Sequence, residues 1–185
     1  MKDIIFILLI CTLLITSCAK DTSVNPFLIE KHHIGLLTDS TQVKQLDAIF
    51  SNDSVVRYIA GDEFTGAVNT IEIFEKGGKK LLNLSPKEAL DSTSVISSVR
   101  IIDERYMTEK KISALSTFKD IKASYKISKV DNLIDAIVVS VNEINASFTI
   151  DKKELPGSLR FDMNATIDPI QIPEKAKIKY FMVHW

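Results

Sequence analysis

Along this 185-residue chain the spacing of apolar positions changes several times, and each change marks an element. Residues 4–15 form an apolar block interrupted only by Thr12, with Lys2-Asp3 before it and Thr16-Ser17-Cys18 after it. Residues 19–25 carry no pattern. Ordered structure is expected to begin at Pro26-Phe27-Leu28-Ile29, with Ile34-Gly35-Leu36-Leu37 next. Val43, Leu46, Ile49 and Phe50 then recur at the three- and four-residue steps of a helix face, with Ser40 or Thr41 as the expected N-cap. Strands are expected over 55–59, 70–75, 79–84 and 96–103, with a loop over 61–66. Gly77-Gly78 joins the middle pair, because glycine supplies the positive φ of a tight hairpin turn. On the last of these strands Val99 and Ile101 share a face.

The second half follows the same order. Leu115-Ser116-Thr117 leads into Phe118, Ile121 and Tyr125 at helical spacing. Residues 134–142 and 146–151 alternate as strands around a turn near Glu143, their apolar sets being Ile137, Val139, Val141 and Ala146, Phe148, Ile150. Residues 176–185 close the chain as a strand. There Ala176, Ile178, Tyr180 and Met182 alternate with Lys177, Lys179, Phe181, Val183 and Trp185, so its end is apolar on both faces and is expected under a helix or against a partner. Ser40-Thr41 answers Ser116-Thr117, and residues 84–88 answer 150–154. Two degenerate helix–strand–strand–strand copies, offset by about 76 residues, predict an α+β fold with helices packed on one side of antiparallel sheet. Any α+β chain can also show this order without duplication. Residues 156–175 hold three prolines and no period, and connections that long are usually functional or disordered. Arg160, Phe161 and Met163 within it, with Trp185, are the candidate ligand or partner contacts; the competing reading is a surface excursion with one short strand.

A helix needs roughly 20 apolar residues to cross a bilayer, so the block over 4–15 is too short for a permanent span. A basic residue before it and small residues after it give the layout of a secretory signal. Ile15-Thr16-Ser17-Cys18 reads as a lipobox, in which residues 1–17 are cleaved off, Cys18 carries acyl chains, 18–25 form a tether and 26–185 one α+β domain. Two or more chains hold a protein stably on a membrane, where one does not. An ordinary cleaved signal with an incidental cysteine is the alternative. Ala19 after the cysteine favours the outer membrane, and Lys20-Asp21 is a possible surface-export cue. The expected address is the bacterial cell envelope.

The formal net charge is −1 with 25% charged residues interspersed, which argues against a polyanion such as nucleic acid as partner. Cys11 leaves with the signal and Cys18 is acylated, so the mature domain is expected to have no disulfide or cysteine metal site. No phosphate loop, nucleophile elbow, paired-histidine helix or calcium loop is present, and no catalytic residue, metal or cofactor is assigned. His32 and His33 are adjacent, and only a meeting of the chain's two ends would bring His184 to them. Asp103, Glu104, Glu109, Asp151 and Glu154 lie among basic residues and read as solvated, as do Lys110-Lys111 and Lys152-Lys153.

The lipobox, Ile34-Gly35-x-Leu37-Thr38-x-x-Thr41, the hairpins and the ending Ile178-x-x-x-x-Val183-His184-Trp185 resemble the envelope lipoprotein family typified by the sigma-E-regulated lipoprotein. That resemblance, over residues 34–185, implies a periplasm-facing α+β domain without known catalytic residues. A looser likeness is to the small accessory lipoproteins of outer-membrane assembly machines. The leading expectation is a non-enzymatic, lipid-anchored protein that binds another envelope protein or lipid. A small-molecule or acyl-chain binder with a pocket capped by 156–175 is the second, and an envelope-polymer hydrolase built on clustered carboxylates the third.

Overall fold

The protein is described by a computed structural model covering residues 25–60, 68–162 and 164–185. The first half contains β1 (Leu28–Ile29), β2 (His33–Ile34), β3 (Leu37–Thr38), α1 (Leu46–Ile49), β4 (Asp53–Ala60), β5 (Val68–Glu75), β6 (Lys80–Pro86) and β7 (Ile96–Ile101). The second contains β8 (Met107–Thr108), α2 (Phe118–Ser124), β9 (Lys129–Asn132), β10 (Ala136–Val141), β11 (Ala146–Asp151), α3 (Gly157–Arg160) and β12 (Ile178–His184). A small sheet runs β3-β2-β1-β8, and a large one runs β4-β5-β6-β7-β12-β11-β10-β9. Every neighbour in the large sheet is antiparallel. The fold is α+β and sheet-rich, with few and short helices.

One face of the large sheet is the core. Ile71, Leu84, Val99, Val183, Ala146 and Val141 form one row across it; Ile73, Leu82, Ile101, Phe181, Phe148 and Val139 form the next. All twelve are buried, in one cluster with Ile29, Ile34 and Leu37 of the small sheet and Val43, Leu46, Phe118 and Ile121 around the helices. Strict alternation explains why a single face is apolar: residues two apart on a strand point the same way. The opposite face carries Glu72, Asn83, Ser98, Arg100, Tyr180, Met182 and His184, with Arg100 stacked on Tyr180 at 3.8 Å.

The two halves repeat one another in several specific hydrogen bonds. Val43 and Lys44 donate backbone hydrogen bonds to Ser94 and Ser92, while Phe118 and Lys119, each 75 positions later, donate to Ala176 and Glu174. Thr38 N–H donates to Thr41 Oγ1, as Ser113 N–H does to Ser116 Oγ. Gln42 N–H donates to Gln45 Oε1 at 2.8 Å, and Thr117 N–H to Asp120 Oδ2 at 2.7 Å. Both final strand pairs carry a bulge, between Ser85 and Pro86 and between Thr149 and Ile150. The seam between halves pairs Ile101 with Phe181, Arg100 with Met182 and Val99 with Val183. The repeat operator maps Val99 onto Phe181 and Ile101 onto Val183, so it maps the Arg100–Met182 pair onto itself. A pseudo-two-fold axis passes through that pair.

Several expectations are corrected. The offset is 75, with Thr41 answering Ser116, and Leu84 answers Phe148 rather than Ile150, because the bulges set the phase. Gln42, not Ser40 or Thr41, caps the first helical turn, since the buried Thr41 hydroxyl is already taken by Thr38. Each copy has four strands. The extra one, β9, holds a single apolar residue, Val130, and shows no alternation. The closing strand changes phase at its bulge, so Ile178, Phe181 and Val183 all face the core side. Residues 156–175 contain no strand among those described; short helical turns at Gly157–Arg160 and Pro169–Gln171 replace it. Ile167 and Ile172 are buried and fill the core beside Leu155 and Ala176. The loop over 61–66 lies outside the described residues.

Candidate functional site

The 152–177 connection passes one end of the second repeat and holds apolar side chains out of the protein there. Asn132, the last residue of β9, donates through Nδ2 to the carbonyls of Asp162 (3.0 Å) and Ala165 (2.9 Å). Arg160 Nε donates to the Leu155 carbonyl at 2.7 Å, and Asp168 Oδ1 accepts from Ile170 N–H. Lys152 N–H donates to the Asp135 carbonyl, which ties the start of the connection to the β9–β10 turn. On this pinned framework Phe161 is 87% exposed, Ile134 and Ile170 are each 79% exposed, and Leu133 is also exposed. Large apolar side chains left in water forgo the stabilisation of burial, and a braced backbone that presents them is a candidate interaction surface.

Of the candidate contacts, Phe161 therefore stands on the surface. Arg160 braces the turn beneath it, and Met163 lies outside the described residues, as does Cys18. Trp185 is elsewhere: its ring packs on the core, and Nε1 donates to the Lys31 carbonyl at 3.1 Å. The bend between β1 and β2, not a helix, receives its indole N–H. Leu133, Ile134 and Ile170 were not singled out by sequence. The signal was there in Asn132-Leu133-Ile134-Asp135, an apolar pair bracketed by turn-forming residues.

A second cluster surrounds Asp103, which the sequence placed among solvated charges and which is fully buried. Its carboxylate accepts from Arg105 N–H, Nε and Nη2, each at 2.9 Å, and from Lys79 Nζ at 2.9 Å. Arg105 also reaches Glu75 at 2.8 Å and lies over the Phe27 ring. Burial opposes the Asp103 charge, but those hydrogen bonds outweigh it and hold the carboxyl well below the usual range. A carboxylate locked in its ionised form is a strut, not a proton donor, so this cluster gives no general acid. Glu104, Asp151 and Glu154 are at least partly exposed. Lys152 is the other buried charge the sequence took for a surface one.

The His32–His33 turn and the last strand do meet, at the Trp185–Lys31 bond, yet each histidine has its own partner. His32 pairs with Asp39 at 2.8 Å, His33 with Glu30 at 2.7 Å, and His184 Nε2 with Ser147 Oγ at 2.7 Å. Among the described residues no group of three or more His, Cys, Asp or Glu side chains could hold a metal. A cleft of about 410 Å³ lies beside the meeting point, lined by Glu30, His33, Lys110, Tyr125 and Glu143. Lys110 spans it, bound to Glu143 and the Ser124 carbonyl and stacked over Tyr125. Among the described residues no helix is long and apolar enough to cross a membrane.

No family model matches the chain, and no curated protein matches it. Among solved structures it is similar to the crystal structure of the uncharacterised protein YfeY from Escherichia coli. The two superpose with a TM-score of 0.56 over 85% of this chain and 99% of that one, at 13% identity. At that identity the likeness establishes a shared fold.

Proposed function

We propose that this chain is a lipid-anchored protein of the bacterial cell envelope that binds another envelope component without catalysis. The finer reading is a lipoprotein of the sigma-E-regulated type, held at the outer membrane through Cys18. The observation that carries the binding role is the exposure of Phe161, Ile134 and Ile170 on segments that Asn132 ties together. The leader and lipobox over residues 1–18 support the anchor. The acyl-pocket alternative is the weaker one, because Ile167 and Ile172 of the supposed lid fill the core it would need to cap.

Two experiments test the two parts separately. Palmitate labelling and membrane fractionation of Cys18→Ala should show loss of label and release from membranes; unchanged label removes the anchor. Photo-crosslinking from position 161 in native membranes should capture one discrete adduct, lost in an Ile134→Ser/Ile170→Ser chain. No adduct, or an adduct indifferent to those changes, removes these side chains as the binding surface.

A further inference from the structure

The large sheet has two edges, which the repeat makes equivalent, but they are finished differently. β9 is four residues long, carries Lys129, Asp131 and Asn132, and is tied to the 162–165 backbone through Asn132. Its counterpart β4 is eight residues long, and among the described residues nothing pairs with its outer side. Long uncovered edges are templates for another strand, and proteins normally blunt them.

The direction of the free groups follows from two bonds. Asp53 N–H goes to the Phe50 carbonyl and Glu75 N–H goes to the Lys79 carbonyl, away from each other although the two residues are paired. Their pair is thus a non-hydrogen-bonded one, and the alternation of antiparallel ladders turns Val55 and Arg57 outward. Asp53, Val55 and Arg57 lie opposite Glu75, Ile73 and Ile71, on the core side of the sheet. The Asp53 carboxylate has no hydrogen bond or salt bridge among the described residues, and burial, then the nearby Glu75, pushes its pKa up. Among the described residues Arg57 is engaged only by the surface carboxylate of Asp47.

We propose that β4 is the interface for a second copy of this chain, the two β4 strands running antiparallel about a two-fold axis at Val55. In that register Val55 exchanges both backbone bonds with its mate. Arg57 of each copy falls opposite Asp53 of the other, on the same face, twice over. Each Arg57 then gives the Asp53 carboxylate a directly bonded cation, where within its own chain Arg105 and Lys76 act on it only from a distance, and the Val55 side chains extend the core across the join. A two-fold perpendicular to the sheet keeps both cores on one side of the joined sheet. Both Asn25 ends, which lead to Phe27 on that side, then face the same way, as two chains on one membrane require. The interface stands without the anchor or the exposed apolar side chains.

The test uses the full-length protein purified in detergent and followed by sedimentation. Two chains per particle are expected, with Arg57→Asp raising the dimer dissociation constant at least about tenfold through four like charges at the join. Asp53→Arg/Arg57→Asp, which restores the opposite pairing, should return the dimer, and circular dichroism of each variant shows that it is folded. Val55→Cys should give an oxidative crosslink between copies, because hydrogen-bonded antiparallel pairs have Cα atoms about 5.5 Å apart. Lys129→Cys on the other edge should not. A particle with one chain at all concentrations, a dimer indifferent to Arg57→Asp, or a Val55→Cys crosslink only to a different protein overturns the proposal.

Discussion

Asp103 and Trp185 occupy the same place in the two repeats, just past the end of the closing strand, and they finish it by opposite means. Asp103 is a buried charge neutralised by Arg105 and Lys79, both from its own repeat. Trp185 is an aromatic ring whose single donor reaches the Lys31 carbonyl 154 positions earlier. The backbone just before them is the same, since Ile102 N–H donates to Leu81 as His184 N–H donates to Asn145. It diverges at the residues themselves, where Asp103 N–H goes to Leu81 and Trp185 N–H to Ser97. The ladder therefore fixes the scaffold, and the local neighbours decide which chemistry closes it. One half is sealed within itself; the other is tied to the turn between β1 and β2.

Phe181→Ala at the seam should be the most damaging single truncation, about 3–5 kcal/mol by urea denaturation, because a fully buried ring leaves a cavity that both halves share. Its repeat counterpart Val99→Ala should cost clearly less; equal losses would mean that the seam does not distinguish the halves. Arg105→Ala should lower the urea midpoint next, by less than Phe181→Ala does. The loss stays below that for a fully buried pair, since Lys79 still reaches Asp103. Trp185→Phe keeps an aromatic ring but loses the indole N–H bond and some packing volume, for at least about 1 kcal/mol, measured the same way. Charge against ring is the contrast these two variants measure.

The two closures also differ in their response to acid. Asp103 has its carboxyl depressed in the fold, so its contribution is present above the unfolded value of about 3.9 and is lost as pH falls below it. The urea midpoint should drop below about pH 4, less steeply in Asp103→Asn. Beside Trp185, burial lowers the His184 pKa from 6.5. The unfolded chain then takes up a proton the folded chain refuses, and stability declines as pH falls below about 6.5. His184→Gln should flatten that smaller slope. An unchanged slope would show that His184 titrates alike in both states.

The two glycines of the β5–β6 turn, the alternation in β10 and β11, and the helical steps of Phe118, Ile121 and Tyr125 were legible because each has a period or a turn chemistry of its own. The small sheet was not, since two-residue strands such as His33–Ile34 are too short to show alternation. Asp103 was misread because charge patterning cannot register that Arg105 folds back on it. Phe161 was legible as a candidate, but its exposure depends on an amide from Asn132, some thirty positions away, and no local rule connects them.

The axis through Arg100 and Met182 has one more consequence. A seam that maps onto itself is what two half-length chains would make by joining edge to edge. The polypeptide is in effect a pair of twins sharing one thread. Cutting that thread between Arg105 and Met107 should leave fragments that find each other again.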